Sequence, residues 1–452
     1  MSVLREIDIP EFGTPAAPPS IPAATYDRRC RDTYARAQCD WLVVYGDREH
    51  NANLAFLTGY DPRFEEALLL VGPGGRRVLI VGNEGLGYAP LASLPGVELA
   101  LAQSMSLMGQ DRSVRPNLGD VLRDAGIKAG ATIALVGWKY LEAAEGADGP
   151  ASFFVPHAFV TLLERIAGAG ALSDATPVLM HPGNGLRAIV DADQIAFHEW
   201  GAARAAAAVW RMIGAVRPGA SELEAASAMG YAGEVLTAHV MFATADTDGE
   251  VVGMRSPGGR ILKTGDGASA AVGYWGGLSA RAGLIDEHDE DFVKLASAYF
   301  AGLAAWYATA ELGVTGGEVF DAVTEALARD GLRSALNPGH LTGHDEWVHT
   351  PIRPGSTELI QSGMPFQVDV IPTPTPRGKA LNCEDGIVFA DAALRGELRA
   401  KHPEVLARAD ARAAFVRDRI GAPVKDSVLF LSSTPLCLAP FWLRPRRLLT
   451  RG

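Results

Sequence analysis

Between Gly339 and Glu384 the chain carries His340, His344 and His349 in GHLTGHDEWVHT, then Asp369 in FQVDVI and Glu384 in LNCEDGIVF. An imidazole gains and loses a proton near neutral pH, and a carboxyl group does so when burial raises its pKa. The same side chains together hold divalent cations. Activation of water for hydrolysis, with or without a metal ion, is therefore the chemistry this set could perform. Asp369 and Glu384 both stand on apolar, strand-like runs. A buried, unpaired charge there would be very costly, so Asp369 must be hydrogen-bonded, paired or part of a site. His340 follows the turn Asn337-Pro-Gly, and a loop-capping histidine is the plainer alternative for it.

Such residues need a framework that makes them converge. Trp41–Tyr45, Glu66–Val71, Arg77–Val81 and Thr132–Val136 read as strands, with a hairpin turn at Gly72–Gly75. Strands alternating with helical segments predict an α/β N-terminal domain over residues 1–185. A long helix from about Asp191 to Val216 follows, apolar at Ile195, Trp200, Ala203, Val209 and Met212, and Arg217-Pro-Gly stops it. Ser221 and Glu224 form a capping box. Met241–Ile285 reads as strand-rich, Asp289–Leu312 and Gly317–Leu332 as amphipathic helices, and Met364–Ile371 and Leu381–Phe389 as strands. Helices followed by antiparallel-type strands predict an α+β domain over 186–452. The acids of Asp286–Asp291 read as a helix start, where negative charge meets the helix dipole.

The chain has 452 residues, enough for two or three domains. Its formal charge of -12 argues against a nucleic-acid partner, which requires a basic patch. There is no signal-like apolar core at the start and no apolar run of about 18 residues, so no membrane partner is expected. Cys30, Cys39, Cys383 and Cys437 lie scattered without a CxxC pair and read as reduced thiols, which points to the cytoplasm.

The order of the histidine and the two carboxylates resembles the second half of the active site in the pita-bread family of creatinase, aminopeptidase P, prolidase and methionine aminopeptidase. Asn51–Val71 (NANLAFLTGYDPRFEEALLLV) looks like the N-terminal creatinase/prolidase domain, and Gly185–Ala206 together with Val216–Ala226 looks like the family's joining segment. The resemblance covers nearly the whole chain. It implies an α/β creatinase-like domain followed by an α+β pita-bread catalytic-type domain, and a homodimer.

Metal-dependent members use Asp, Asp, His, Glu and Glu in that order. His340, Asp369 and Glu384 match the last three positions, with Asp369 one methylene shorter. The first two fall in Gly265–Gly283 (GDGASAAVGYWGGLSARAG). Anchoring on Gly273-Tyr274 puts Gly277 where the second aspartate stands; without a gap Asp266 takes the first position, but it also matches a turn aspartate before the strand, the alignment favoured, which leaves Ala or Ser at the first ligand position. A two-ion centre is therefore not expected, whereas one divalent ion (Mn, Co or Zn) on His340, Asp369 and Glu384 is conceivable. Creatinase works without metal and uses a histidine base from the stretch matching Val251–Asp266, but that stretch has no histidine here.

The resemblance implies catalytic roles for His340, His349, Asp369 and Glu384. It implies substrate contacts for Arg63, Tyr274, Arg281 and Arg255, the first of these reaching a neighbouring subunit's site. The plainer alternatives are a surface salt bridge for Arg63, a core aromatic for Tyr274, a carboxylate brace for Arg281 and a loop arginine for Arg255. The expected activity is hydrolysis of a C–N bond (amide, amidine or Xaa-Pro-like) in a small molecule or short peptide. The alternatives are a non-catalytic ligand- or partner-binding member and a metal-dependent Xaa-Pro aminopeptidase.

Overall fold

The computed structural model describes residues 2–113, 116–142, 145 and 152–452. The chain forms two compact units, Ile21–Arg187 and Met1–Ser20 with Ala188–Gly452. The division after Arg187 lies two residues beyond the expected one. The first twenty residues, expected in the N-terminal domain, belong to the second unit, because Ser2–Glu6 pairs antiparallel with Arg447–Arg451.

The N-terminal unit is built on a six-stranded mixed sheet in the order Glu98–Leu101, Arg77–Val81, Ala67–Val71, Trp41–Gly46, Ile133–Val136, Leu172–Asp174. Its central strands are buried end to end, as their continuous apolar runs require. Helices Ala23–Ala37, Ala52–Thr58, Leu118–Ala125 and His157–Ala167 complete the α/β layer.

The second unit carries two antiparallel four-stranded sheets. One runs Asn382–Glu384, Gly277–Leu284, Gly267–Tyr274, Met241–Ala245; the other runs His340–Leu341, Pro365–Gln367, Gly386–Phe389, Val428–Phe430. The run read from sequence as one strand, Leu381–Phe389, is thus two strands in different sheets, split at Asp385. The Gln367 side-chain amide ties the sheets by donating to Leu278 O at 2.6 Å.

Helix Ala192–Ala215 packs on the hairpin formed by Gly267–Tyr274 and Gly277–Leu284. Its Ala-rich composition serves that packing. A Cβ on Gly277 would lie 2.7 Å from Ala202 Cβ, and one on Gly201 2.2 Å from Trp275 O, so only small residues fit this contact. Asp191 caps the helix by accepting from Gln194 N. Ser221 and Glu224 form the expected capping box. Asp289 accepts from Phe292 N and starts helix Glu290–Thr309, which accounts for the neighbouring acids.

Candidate functional site

Alternation along the hairpin decides which residues can meet. In Gly267–Tyr274, residues Ala268, Ala270, Val272 and Tyr274 face the core beneath the Ala192–Ala215 helix, whereas Ser269 and Ala271 face the opposite way. In Gly277–Leu284, Leu278, Ala280 and Ala282 share the second face. Asn382 and Glu384 join them from the edge strand, with Glu384 directly opposite Ala280 and Asn382 opposite Ala282. This face walls a cavity of about 450 Å³, within the range of small-ligand sites. Glu346, Trp347 and Asp369 close it from the loop after His340–Leu341 and from the end of Pro365–Gln367.

Several contacts fix these side chains. Gly339 adopts φ +111°, a conformation that favours glycine, immediately before His340 pairs with Gln367. His340 is fully buried, and its ring stacks on Trp347 with centroids 4.1 Å apart. Its Nε2 lies 2.9 Å from Glu346 Oε1, close enough for an ion pair. Asn382 donates to Asp369. The Glu384 strand is held by Cys383 N donating to the Tyr299 hydroxyl at 2.9 Å.

His340, Glu346 and Glu384 each offer a ligand atom, all within 4.8 Å of one another. Among the described residues, Asp369 Oδ1 and Glu384 Oε1 are buried without a hydrogen-bond partner. Burial alone would then be costly, so these atoms point to a cation or a polar ligand at this position.

The electrostatics agree. Burial pushes the Asp369 carboxyl up to about 6, with His340 pulling it partly back. Burial, then Asp369 and Glu346, push Glu384 well above the usual carboxylate range. At His340 burial disfavours the charged ring, but the Glu346 carboxylate and Asp369 outweigh it and raise the pKa. Packed carboxylates of this kind favour a proton or a positive ion between them.

Of the residues expected to act, the fold brings Asp369, Glu384 and His340 together. His349 is not among the described residues lining the cavity. Its Nδ1 accepts from Thr350 N at 2.8 Å, and its backbone bridges to Leu341. The four expected substrate contacts lie elsewhere. Tyr274 is in the core beneath the helix, stacked near Tyr231, because it falls on the other face of its strand. Arg281 is also on that face, 2% exposed, and donates to Asp385 Oδ1, Glu384 O, Thr434 O and Cys437 O. Arg255 is drawn to the buried Glu222 carboxylate, 2.6 Å away. Arg63 belongs to the N-terminal unit, where it pairs with Asp61 at 3.1 Å and lies over the Tyr88 ring. His344 packs against Phe197 and Trp275.

The resemblance placed the expected second aspartate at Gly277. That position abuts Ala202 on the helix side, so a carboxylate there would point away from Glu384. The hairpin positions that face the cluster are Ser269, Ala271, Ala280 and Ala282, which supply no carboxylate. Glu346 and Asn382 were not singled out from sequence. Glu346 sits four residues before the noticed His349 position's neighbour Thr350, in a turn whose folding alone brings it to His340.

Among the described residues one group could hold a metal ion: His340, Glu346 and Glu384 supply one imidazole and two carboxylates, with Glu346 in the place expected for Asp369. Substitution separates the two hairpin positions. Ala280→Asp should leave the protein folded and tighten Mn²⁺ binding by about tenfold, roughly 1.4 kcal/mol. Gly277→Asp should instead cost about 1–3 kcal/mol or more through overpacking against Ala202. Calorimetric titration and thermal unfolding check both, and tighter binding by the Gly277 variant would overturn the register.

No protein-family model matches the chain, and no curated protein matches it in sequence. Solved structures do match. A prolidase from Thermococcus sibiricus superimposes with TM-score 0.64 at 16% identity, over 82% of this chain and 95% of that one. An Xaa-Pro dipeptidase from Bacillus anthracis gives TM-score 0.61 at 14% identity, over 82% and 96%. An X-Pro aminopeptidase from Thermotoga maritima gives 0.62 at 14%, over 81% and 95%. These likenesses show the fold, an α/β domain followed by an α+β pita-bread domain.

Proposed function

We propose that this chain of the prolidase and aminopeptidase P fold is a hydrolase of a C–N bond in a small molecule or short peptide, working at the cluster of His340, Glu346, Asp369 and Glu384. The observation that carries this is the pair of buried, unpartnered carboxylate oxygens of Asp369 and Glu384, converging with His340 and Glu346 beside a cavity of about 450 Å³. A fold stabilised by these groups alone would satisfy or replace them. The solved structures of the same fold are described as dipeptidases and an aminopeptidase, which supports the reaction class.

His340, Glu346 and Glu384 would hold one divalent ion, which supplies Lewis-acid polarisation of the scissile carbonyl. Asp369 lies beside that set. Its carboxyl, pushed to about 6, is close enough to neutrality to accept and return a proton. Asp369 takes a proton from the attacking water as oxygen bonds to carbon. It then delivers that proton to the departing nitrogen as the C–N bond breaks, leaving acid and amine. Trp347 braces the His340 ring by stacking and covers one side of the cavity. Arg281 acts at one remove, clamping Glu384 O and Asp385 so that the Glu384 carboxylate stays in the cavity wall.

The test is release of amine from a panel of amino-acid amides and dipeptides, with the ion content measured on the same sample. Turnover with about one ion per chain, lost on chelation and restored by Mn²⁺, Co²⁺ or Zn²⁺, is expected. Equal turnover after chelation would remove the ion from the mechanism. No turnover of any amide at any ion load would favour a binding protein, for which the carboxylate-free hairpin at Ser269 and Ala280 already speaks.

A further inference from the structure

The charge balance of the cavity wall selects a substrate class. Glu346, Asp369 and Glu384 all line it, and none of its described lining residues is a lysine or arginine. Even with one divalent ion held, three carboxylates leave negative charge in excess. The remaining wall is apolar, with Met241, Leu278, Leu336, Trp347 and Leu381 prominent.

Four described basic side chains of this unit are committed elsewhere. Arg281 pairs with Asp385, Arg255 with Glu222, Arg260 with Asp266 and Lys379 with Asp289. A carboxylate brought into this cavity would lose water and meet like charge. An ammonium group would meet three carboxylates and the Trp347 ring, whose π-face attracts cations.

We propose that the cavity takes an apolar substrate bearing an ammonium group and no carboxylate, of the class of amino-acid amides and apolar amines, with the cation drawn by the net negative field of the wall that carries Glu346, Asp369 and Glu384. The proposal rests on the hydrolase reading of the same site and narrows it. It sets this chain apart from an enzyme for free dipeptides, since a dipeptide carries a carboxylate that nothing described in this wall would receive.

Calorimetric binding to the protein as purified tests this with L-leucinamide, the anionic N-acetyl-L-leucine and the zwitterionic leucyl-proline. L-leucinamide should bind at least about tenfold more tightly than N-acetyl-L-leucine, with leucyl-proline between them. Leu336→Arg places a cation in the wall at a position 48% exposed, where the longer side chain is tolerated. It should narrow or reverse the ratio. Absence of L-leucinamide binding, equal binding of the two monovalent probes, or an unchanged ratio in Leu336→Arg overturns the proposal. Selective binding of L-leucinamide without cleavage would leave the proposal standing and remove the hydrolase reading. Cleavage of anionic amides would do the reverse.

Discussion

Glu384→Gln should lower amide turnover by about 10²–10⁴-fold, the usual weight of a lost acid–base or ligand group, while leaving the fold as stable as before or more so. The two effects share one cause. Glu384 is 4% exposed, its Oε1 has no partner within the described protein, and Asp369 and Glu346 stand close by. Gln has the same shape and no charge. The substitution therefore relieves like-charge crowding in a buried space, and buried groups kept for function are commonly a cost to stability.

If the ion is held as proposed, its affinity falls with the rate, because one of two carboxylate ligands is gone. Measuring kcat, thermal unfolding and ion content on one preparation separates the cases. A wild-type rate would sink the role of Glu384. A lost rate accompanied by lost stability would show instead that Glu384 is a structural group.

Arg281→Ala should show the opposite signature, a loss of about 3–5 kcal/mol in stability, the range for removing one partner of a buried ion pair. Both Arg281 and Asp385 are essentially inaccessible, at 2% and 1% side-chain exposure, and their atoms lie 2.8 Å apart. Asp385 also accepts from Leu436 N at 2.8 Å, so the pair fixes the point where one strand leaves the first sheet and enters the second. Truncation leaves the buried Asp385 charge without its counter-ion and removes one donor from several backbone carbonyls.

The companion variant Arg281→Met with Asp385→Asn should recover part of the loss, because the uncompensated charge is gone. Urea unfolding of the three proteins measures this. A stable Arg281→Ala protein with a raised KM would return Arg281 to the substrate contacts expected of it from sequence.

Much of the framework was legible along the chain. The helix after Asp191, the strand pairs and the caps at Ser221 and Asp289 follow from local periodicity and capping chemistry, which neighbours in sequence decide. Asp369 was legible because a carboxylate on an apolar strand demands an explanation, whereas His340 and Glu384 were carried by the family resemblance. Tyr274, Arg281 and Gly277 were harder. A strand has a period of two, so an assignment one residue out moves a side chain to the opposite face. All three fall on the helix side of the hairpin. Arg255 was drawn away by Glu222, 33 positions distant, which no local pattern announces.

The residues from Gly339 to Glu384, read alone, determined that a histidine and two carboxylates would have to be satisfied in a buried, strand-built place. Only the tertiary structure decided their company. It added Glu346 from a turn, placed Ala280 opposite Glu384 where a carboxylate could have stood, and kept every lysine and arginine out of the described cavity wall. Side-chain chemistry belongs to the residue, but the charge and donors of a site depend on which faces the sheet pairing turns toward one another.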